Sequence, residues 1–255
     1  MSTRHIPTRI TEEEYALFFT RSFSPIHVIL KIVAIDHAER KRSMSAEKEN
    51  RLCQRSKQIH NRTFVVTCRE FLVKQADFLL DVFSDVEDEM GPIKNGAKIQ
   101  VGWTILLVFE RDGCMEIVAP DYDANPFSET TSDLSVSLVV QMAQNNCLQT
   151  VRAEGEAALF QDKMVVAKGA FEQEHVYLQR AEDVRKGDSG WYLGPVEGEV
   201  DSDQLESYYV FQLLKLRPSL LQAMALPRGY IVVFQGDQIE AVLDEHDVNV
   251  WPTLH

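Results

Sequence analysis

Between Ile99 and Leu107 every second residue is apolar: Ile99, Val101, Trp103, Ile105 and Leu107. A period of two places all five on one face of an extended strand; a helix would scatter them, because its repeat is 3.6. Asp112-Gly113 follows, a pair that accepts positive φ at both central positions of a tight hairpin, and Met115 to Ala119 is the expected return strand. The stretch before has a different period. Phe71, Leu72, Phe78, Leu79, Val82 and Phe83 fall at helical spacing behind Thr67-Cys68-Arg69-Glu70, which has the form of a capping box. Ser84 to Glu89 reads as an acidic loop, and Gly91-Pro92 as the break before the strands.

Downstream, Leu134 to Val140 fits either period and Ala143 to Val151 reads as helix. Met164 to Ala167, Val176 to Leu178 and Trp191 to Leu193 read as short extended runs. Leu205, Tyr209, Leu213 and Leu216 recur every three or four residues, so Leu205 to Leu216 reads as a helix; Pro218 is placed to open another. Tyr230 to Phe234 and Ile239 to Leu243 flank Gln235-Gly236-Asp237-Gln238 as a terminal hairpin. At the other end, Thr11-Glu12-Glu13-Glu14 caps one helix and Pro25 opens a second; Ser45 to His60 is polar, either exposed helix or connector. The expected fold class is α+β, mostly antiparallel sheets with packed helices, preceded by a helical N-terminal segment. The expected divisions are residues 1–62, 63–163 and 164–255.

Charge is unevenly distributed along the chain. Lys plus Arg is 26 against 39 Asp plus Glu, a net charge of −13. Residues 1–62 carry +5, residues 63–181 carry −10 and residues 182–255 carry −8. A chain so acidic lacks the basic footprint that unaided nucleic-acid binding needs. The most apolar early stretch, Ile26 to Ile35, contains His27 and Lys31 and is too short to span a bilayer, and the start has no apolar signal core. Cys53, Cys68, Cys114 and Cys147 form no CxxC pair, which points to reduced thiols and a cytoplasmic location.

No constellation in the sequence carries chemistry, so no catalytic residue, metal or cofactor is expected. The seven histidines make no HExxH helix. Asp121 to Asn125 starts like a calcium loop, but Pro126 stands where the loop needs Gly and Ser132 where it needs Glu. Gly187-Asp188-Ser189-Gly190 has the letters around a trypsin-like nucleophile without the His and Asp context that defines a triad. The simpler role is a turn: Asp188 and Ser189 bond nearby backbone, Gly190 turns the chain and Trp191 anchors it in a core. Glu197, Glu199, Asp201, Asp203 and Glu206 then put five acids within ten positions, with no basic residue among them. Alone, such a run reads as a solvated loop; against a basic partner it would steer association.

Several of these elements, taken in order, resemble the bacterial polymorphic-toxin immunity family numbered thirty-three. They are Asp188-Ser189-Gly190-Trp191 with the acidic linker after it, Tyr209-Val210-Phe211-Gln212-Leu213-Leu214, Arg217-Pro218-Ser219-Leu220-Leu221, Leu226-Pro227-Arg228-Gly229-Tyr230 and Ile239-Glu240-Ala241-Val242. The resemblance spans roughly residues 164–250, and residues 1–163 show no motif of that family. It implies a protein that binds and neutralises a toxin delivered by a neighbouring bacterial cell, with no catalytic residue and no cofactor. Acidity and the cytoplasmic expectation point to a nuclease as that toxin, and to the five acids as partner-binding. Two other readings stay open from the residues: an adaptor that uses its N-terminal helices, and an enzyme of unrecognised type. The apolar positions Phe18, Phe19, Ile26, Ile29, Leu30 and Val33 must also be covered, by the acidic body or by a second copy of the chain.

Overall fold

The structure is a computed structural model, and it describes residues 51–252 apart from residue 199. The helices expected in residues 1–50 lie outside the described residues.

Among the described residues twelve strands form two sheets. The first holds β1 (Leu52–Ile59), β2 (Arg62–Arg69), β3 (Ala97–Val101), β4 (Thr104–Arg111) and β5 (Cys114–Pro120) in the order β1-β2-β5-β4-β3, with the short β6 (Thr130–Thr131) on β5. The second holds β7 (Lys163–Ala167), β8 (His175–Arg180), β9 (Asp188–Pro195), β10 (Leu205–Tyr209), β11 (Ile231–Gln235) and β12 (Gln238–Leu243) in the order β10-β7-β9-β8-β11-β12. Pairing is antiparallel except β2 with β5 and β7 with β9, so each sheet is mixed. Parallel neighbours need a long crossover, and between β2 and β5 helix α1 (Val73–Met90) and the β3–β4 hairpin supply it.

Of the helix or connector expected at Ser45 to His60, the described part is the strand β1. It is an edge strand in which only Ile59 is buried, so its sequence stays polar. Its charges still have partners. Arg55 lies 2.7 Å from Asp77 and Lys57 lies 2.7 Å from Asp81, both acids on α1. Two residues along a strand and four along a helix both advance roughly 6–7 Å, so the two ladders stay in step. In β1–β2, Cys53 stands opposite Cys68, and burial first, then that neighbour, pushes the Cys68 thiol up to about 12.

α1 begins without the capping box. Thr67 belongs to β2, and the helix is led in by a 3-10 turn at Glu70–Leu72 with no side-chain cap. It also runs through Ser84 to Glu89, expected as a loop. The reason is Glu87, buried with its carboxylate accepting bonds from the Arg62 guanidinium and, at 2.7 Å, from the Ile93 N–H. Gly91 ends the helix with φ 80°.

The alternating run Ile99 to Leu107 is two strands, not one. A tight turn at Gly102-Trp103 sets Val101 opposite Thr104. Cross-strand partners share a face, so Ile99 and Val101 stand with Thr104, Leu106 and Val108. Leu106 and Val108 are therefore buried, whereas Ile105 and Leu107 are half-buried on the other face. Trp103, at the turn itself, is fully buried; it stacks on Tyr122 at 4.9 Å and donates its indole N–H to the Ser137 carbonyl at 3.3 Å. The hairpin at Asp112-Gly113 is present, with Arg111 opposite Cys114 and φ of 50° and 76° at the two turn residues.

Of the stretches Leu134 to Val140 and Ala143 to Val151, all but the N-cap Leu134 belong to one helix, α2 (Ser135–Val151). It joins the two cores. Leu138, Val139 and Ala143 pack under the first sheet; Val140, Cys147 and Val151 pack with the second. The second core is filled further by a 3-10 run, Pro218–Ala223, where Leu220 and Leu221 are fully buried. The expected helix Leu205 to Leu216 divides instead into β10, a 3-10 turn at Val210–Gln212 and one helical turn, α3 (Leu213–Leu216). Its presumed stripe is not a core stripe, since Leu205 and Leu216 are exposed. Pairing of β10 with β7 overrides the spacing, and the adjacent Tyr208 and Tyr209 suit a strand. Among the described residues no helix is long and apolar enough to cross a membrane.

Candidate functional site

Asp188-Ser189-Gly190-Trp191 opens β9 and bulges it, rather than forming a turn ahead of it. Lys163 of β7 pairs with Asp188, yet Val165 pairs with Tyr192, so β9 carries two extra residues here. Gly190 absorbs the bulge with φ 76°, and a Cβ there would lie 2.6 Å from Val184 Cγ2. The neighbouring side chains hold the bulge closed. Asp188 Oδ1 accepts the Gly190 N–H at 3.0 Å. Ser189 Oγ accepts the Trp191 N–H at 3.2 Å and donates to the Lys163 carbonyl at 2.8 Å. Ser189 is buried and its partners are backbone groups, which is the environment of a structural serine. Replacing Asp188 with Ala removes one of these bonds, and the expected cost is about 0.5–2 kcal/mol, as for a lost cap. Chemical denaturation measures it, and an unchanged midpoint would mean the bond does nothing for the fold.

Trp191 is 1% exposed and donates its indole N–H to the Met224 carbonyl at 3.2 Å. Arg180 stands over the ring, its guanidinium carbon 5.6 Å from the centroid. This arginine, which the sequence reading passed over, is 3% exposed and ties three segments together. It donates to the carbonyls of Ser189 at 3.2 Å, Glu156 at 2.6 Å and Leu226. The Glu156 carboxylate at 3.9 Å answers its charge, while burial holds its pKa below the usual arginine value. Arg217 does the same work for the loops at Ala170, Gln173 and Gly236, whose carbonyls accept its bonds. Val176, Leu178 and Arg180 occupy alternate positions of β8, so the register that buries the first two also buries the third.

The four described acids lie on three successive pieces of chain. Glu197 lies exposed in the loop after β9, and Asp201 and Asp203 are exposed around the 3-10 turn Ser202–Gln204. Glu199 lies outside the described residues. Glu206 is exposed on β10, opposite Val166 and therefore on the core-facing side of the sheet, where it accepts the Tyr208 hydroxyl at 2.6 Å. Asp121 to Asn125 is a turn stabilised from within: Asp121 Oδ1 accepts the Asp123 N–H at 3.0 Å and Asn125 Oδ1 the Phe127 N–H at 3.1 Å. Among the described residues no group of three or more His, Cys, Asp and Glu is arranged to hold a metal ion.

The side of the second sheet turned away from the core carries an open groove of about 540 Å³. Tyr177 and Tyr192 line it with Gln179, and Gly198 and Val200 bring the acidic loop to its rim. The two rings are 5.7 Å apart. Tyr192 lies against Gly194, where a Cβ would come within 2.5 Å of its hydroxyl. Burial, then Tyr177, raises the Tyr192 pKa above the ordinary tyrosine value. The sequence reading missed both tyrosines. Their signal was the loss of alternation in Val176-Tyr177-Leu178 and Trp191-Tyr192-Leu193, where apolar residues occupy both faces.

A family model described as the Imm33-like domain matches residues 143–245. The match begins within α2 and runs past the end of β12, so it takes in the whole second sheet, with the bulge, both buried arginines and the groove. The resemblance read from residues 164–250 falls on the same part of the chain. No curated protein and no solved structure matches.

Proposed function

We propose that this chain, similar over its second sheet to the Imm33-like domain, is an immunity protein that binds a cognate bacterial toxin one to one and holds it inactive. The observation that carries this reading is the family match at residues 143–245. In it the protein acts by occupying the toxin and catalyses nothing. The toxin is a nuclease that works in the cytoplasm. A nuclease presents a basic cleft to a polyanion, and a chain of net charge −13 is complementary to such a cleft. The acids after β9 contribute to the contact surface.

Co-expressing the full chain with the products of its flanking genes tests this. A stoichiometric, salt-sensitive complex and protection of toxin-expressing cells are the expected results; failure to bind any flanking product, or turnover by the isolated protein, would overturn it. Within a complex, each exposed acid contributes only about 0–1 kcal/mol. Together they act on the encounter rate. Replacing Glu197, Glu199, Asp201, Asp203 and Glu206 with Gln or Asn should slow association at low salt, within the roughly 10–10³-fold span of electrostatic steering. The salt dependence should flatten and the fold should be unchanged. Stopped-flow binding measures this, and an unaltered on-rate would take the acids out of the interface.

A further inference from the structure

We infer that the outer face of the second sheet, centred on Tyr177 and Tyr192, is the surface on which a basic protein partner docks; this rests on the immunity reading and names the site at which it operates. Register defines the face. Val165 pairs with Tyr192, Tyr192 with Gln179 and Gln179 with Ile231, while Tyr177 pairs with Val233, so these side chains stand together. The centre of the face therefore holds two tyrosines, three β-branched residues and one amide, with no charge. Charged groups lie at its margins, where Lys163 meets Asp188 and His175 meets Glu240 at 2.9 Å.

A solvated sheet face is ordinarily polar, and a sheet that is apolar on both sides is one covered on both sides. The inner side is covered by its core. The outer side is partly open, with Tyr177, Tyr192, Val165, Ile231 and Val233 all half-buried. Two adjacent tyrosines, each with an apolar body and a hydroxyl, are the kind of side chain that anchors protein interfaces. Charge selects the occupant. The groove is rimmed by the loop that carries Glu197 and Asp201, both exposed. A basic surface is attracted to that rim, whereas the same face of a second copy of this chain would bring acid against acid. The whole face also lies inside residues 143–245, the part of the chain on which the immunity reading rests.

The test uses the full chain and the flanking-gene product that co-purifies with it. Gln179 is exposed at the middle of the face, so a charge placed there leaves the core alone. Gln179→Arg should weaken the complex about tenfold or more, and Gln179→Glu should not, a dependence on sign that a structural role would not give. Tyr192→Ala should weaken it similarly while the chain stays folded. In the free protein, Gln179→Cys should react promptly with a maleimide, located by peptide mapping, and the partner should protect it. Equal affinity of Gln179→Arg and wild type would overturn the surface while leaving the immunity reading standing. Absence of any complex with wild type would overturn both. Protection of Gln179→Cys in the free chain would mean that residues 1–50 or a second copy occupy the face, and would likewise overturn the proposal; solution mass separates those two.

Discussion

Trp191→Ala should lower the unfolding free energy by about 3–5 kcal/mol, the range for removing a buried aromatic from a packed core. The indole is 1% exposed, and three kinds of contact go with it. Its volume fills the second core, where Leu193, Met224 and Leu226 are fully buried. Its N–H satisfies the Met224 carbonyl, and its face supports the Arg180 guanidinium. The bulge around it is held by the Asp188 and Ser189 side chains, which oppose its collapse into the cavity. Urea denaturation should show a lower midpoint with the same slope, the signature of lost stability without a changed unfolded state. A midpoint equal to wild type would mean the Trp is not part of the core.

Arg180→Met should cost on the order of 3 kcal/mol. Methionine restores most of the aliphatic volume but donates nothing, so the carbonyls of Glu156, Ser189 and Leu226 lose a donor together. Glu156 is less affected as a charge, because Arg228 stays 2.8 Å away. Arg180→Lys should recover only part of the loss, since one ammonium cannot span three carbonyls as a planar fork does. Because Arg180 and Trp191 touch, the double variant should cost less than the sum of the two. Thermal and urea unfolding of the set would check this, and an Arg180→Met variant as stable as wild type would show the three carbonyls to be satisfied without it.

The candidate site was half legible. Asp188, Ser189, Gly190 and Trp191 stood out as a string, because Asp and Ser beside a Gly bond their own backbone wherever the chain bends. That the bend is a bulge inside β9 depends on β7, some twenty-five positions upstream. Arg180 drew no attention because nothing adjacent to it in sequence marks it, and the apolar neighbours of the two tyrosines mark only a strand that is apolar on both faces. Arg180 is recognisable through carbonyls contributed by Glu156 and Leu226, and the tyrosines through strands that bring β8 and β9 side by side.

Features set by neighbours along the chain could be read from the residues: the Asp112-Gly113 hairpin, the amphipathic face of α1, the terminal β11–β12 hairpin and the break at Gly91. Each rests on φ preferences or on a short-range period, and both act over a few residues. Where two local readings were compatible with the same residues, a distant partner chose. Polar Leu52–Ile59 became a strand because β2 pairs with it along its whole length, and the Arg55–Asp77 and Lys57–Asp81 pairs to α1 go with that placement. Leu205 to Tyr209 became a strand because β7 offered an open edge. A two-residue turn at Gly102-Trp103 exchanged Ile105 for Leu106 in the core, because chain reversal swaps which parity faces inward. Glu87 turned an acidic loop into helix by finding Arg62. Spacing reports which faces a segment can offer; the free energy of burial and pairing, summed over contacts far apart in sequence, selects the face that is used.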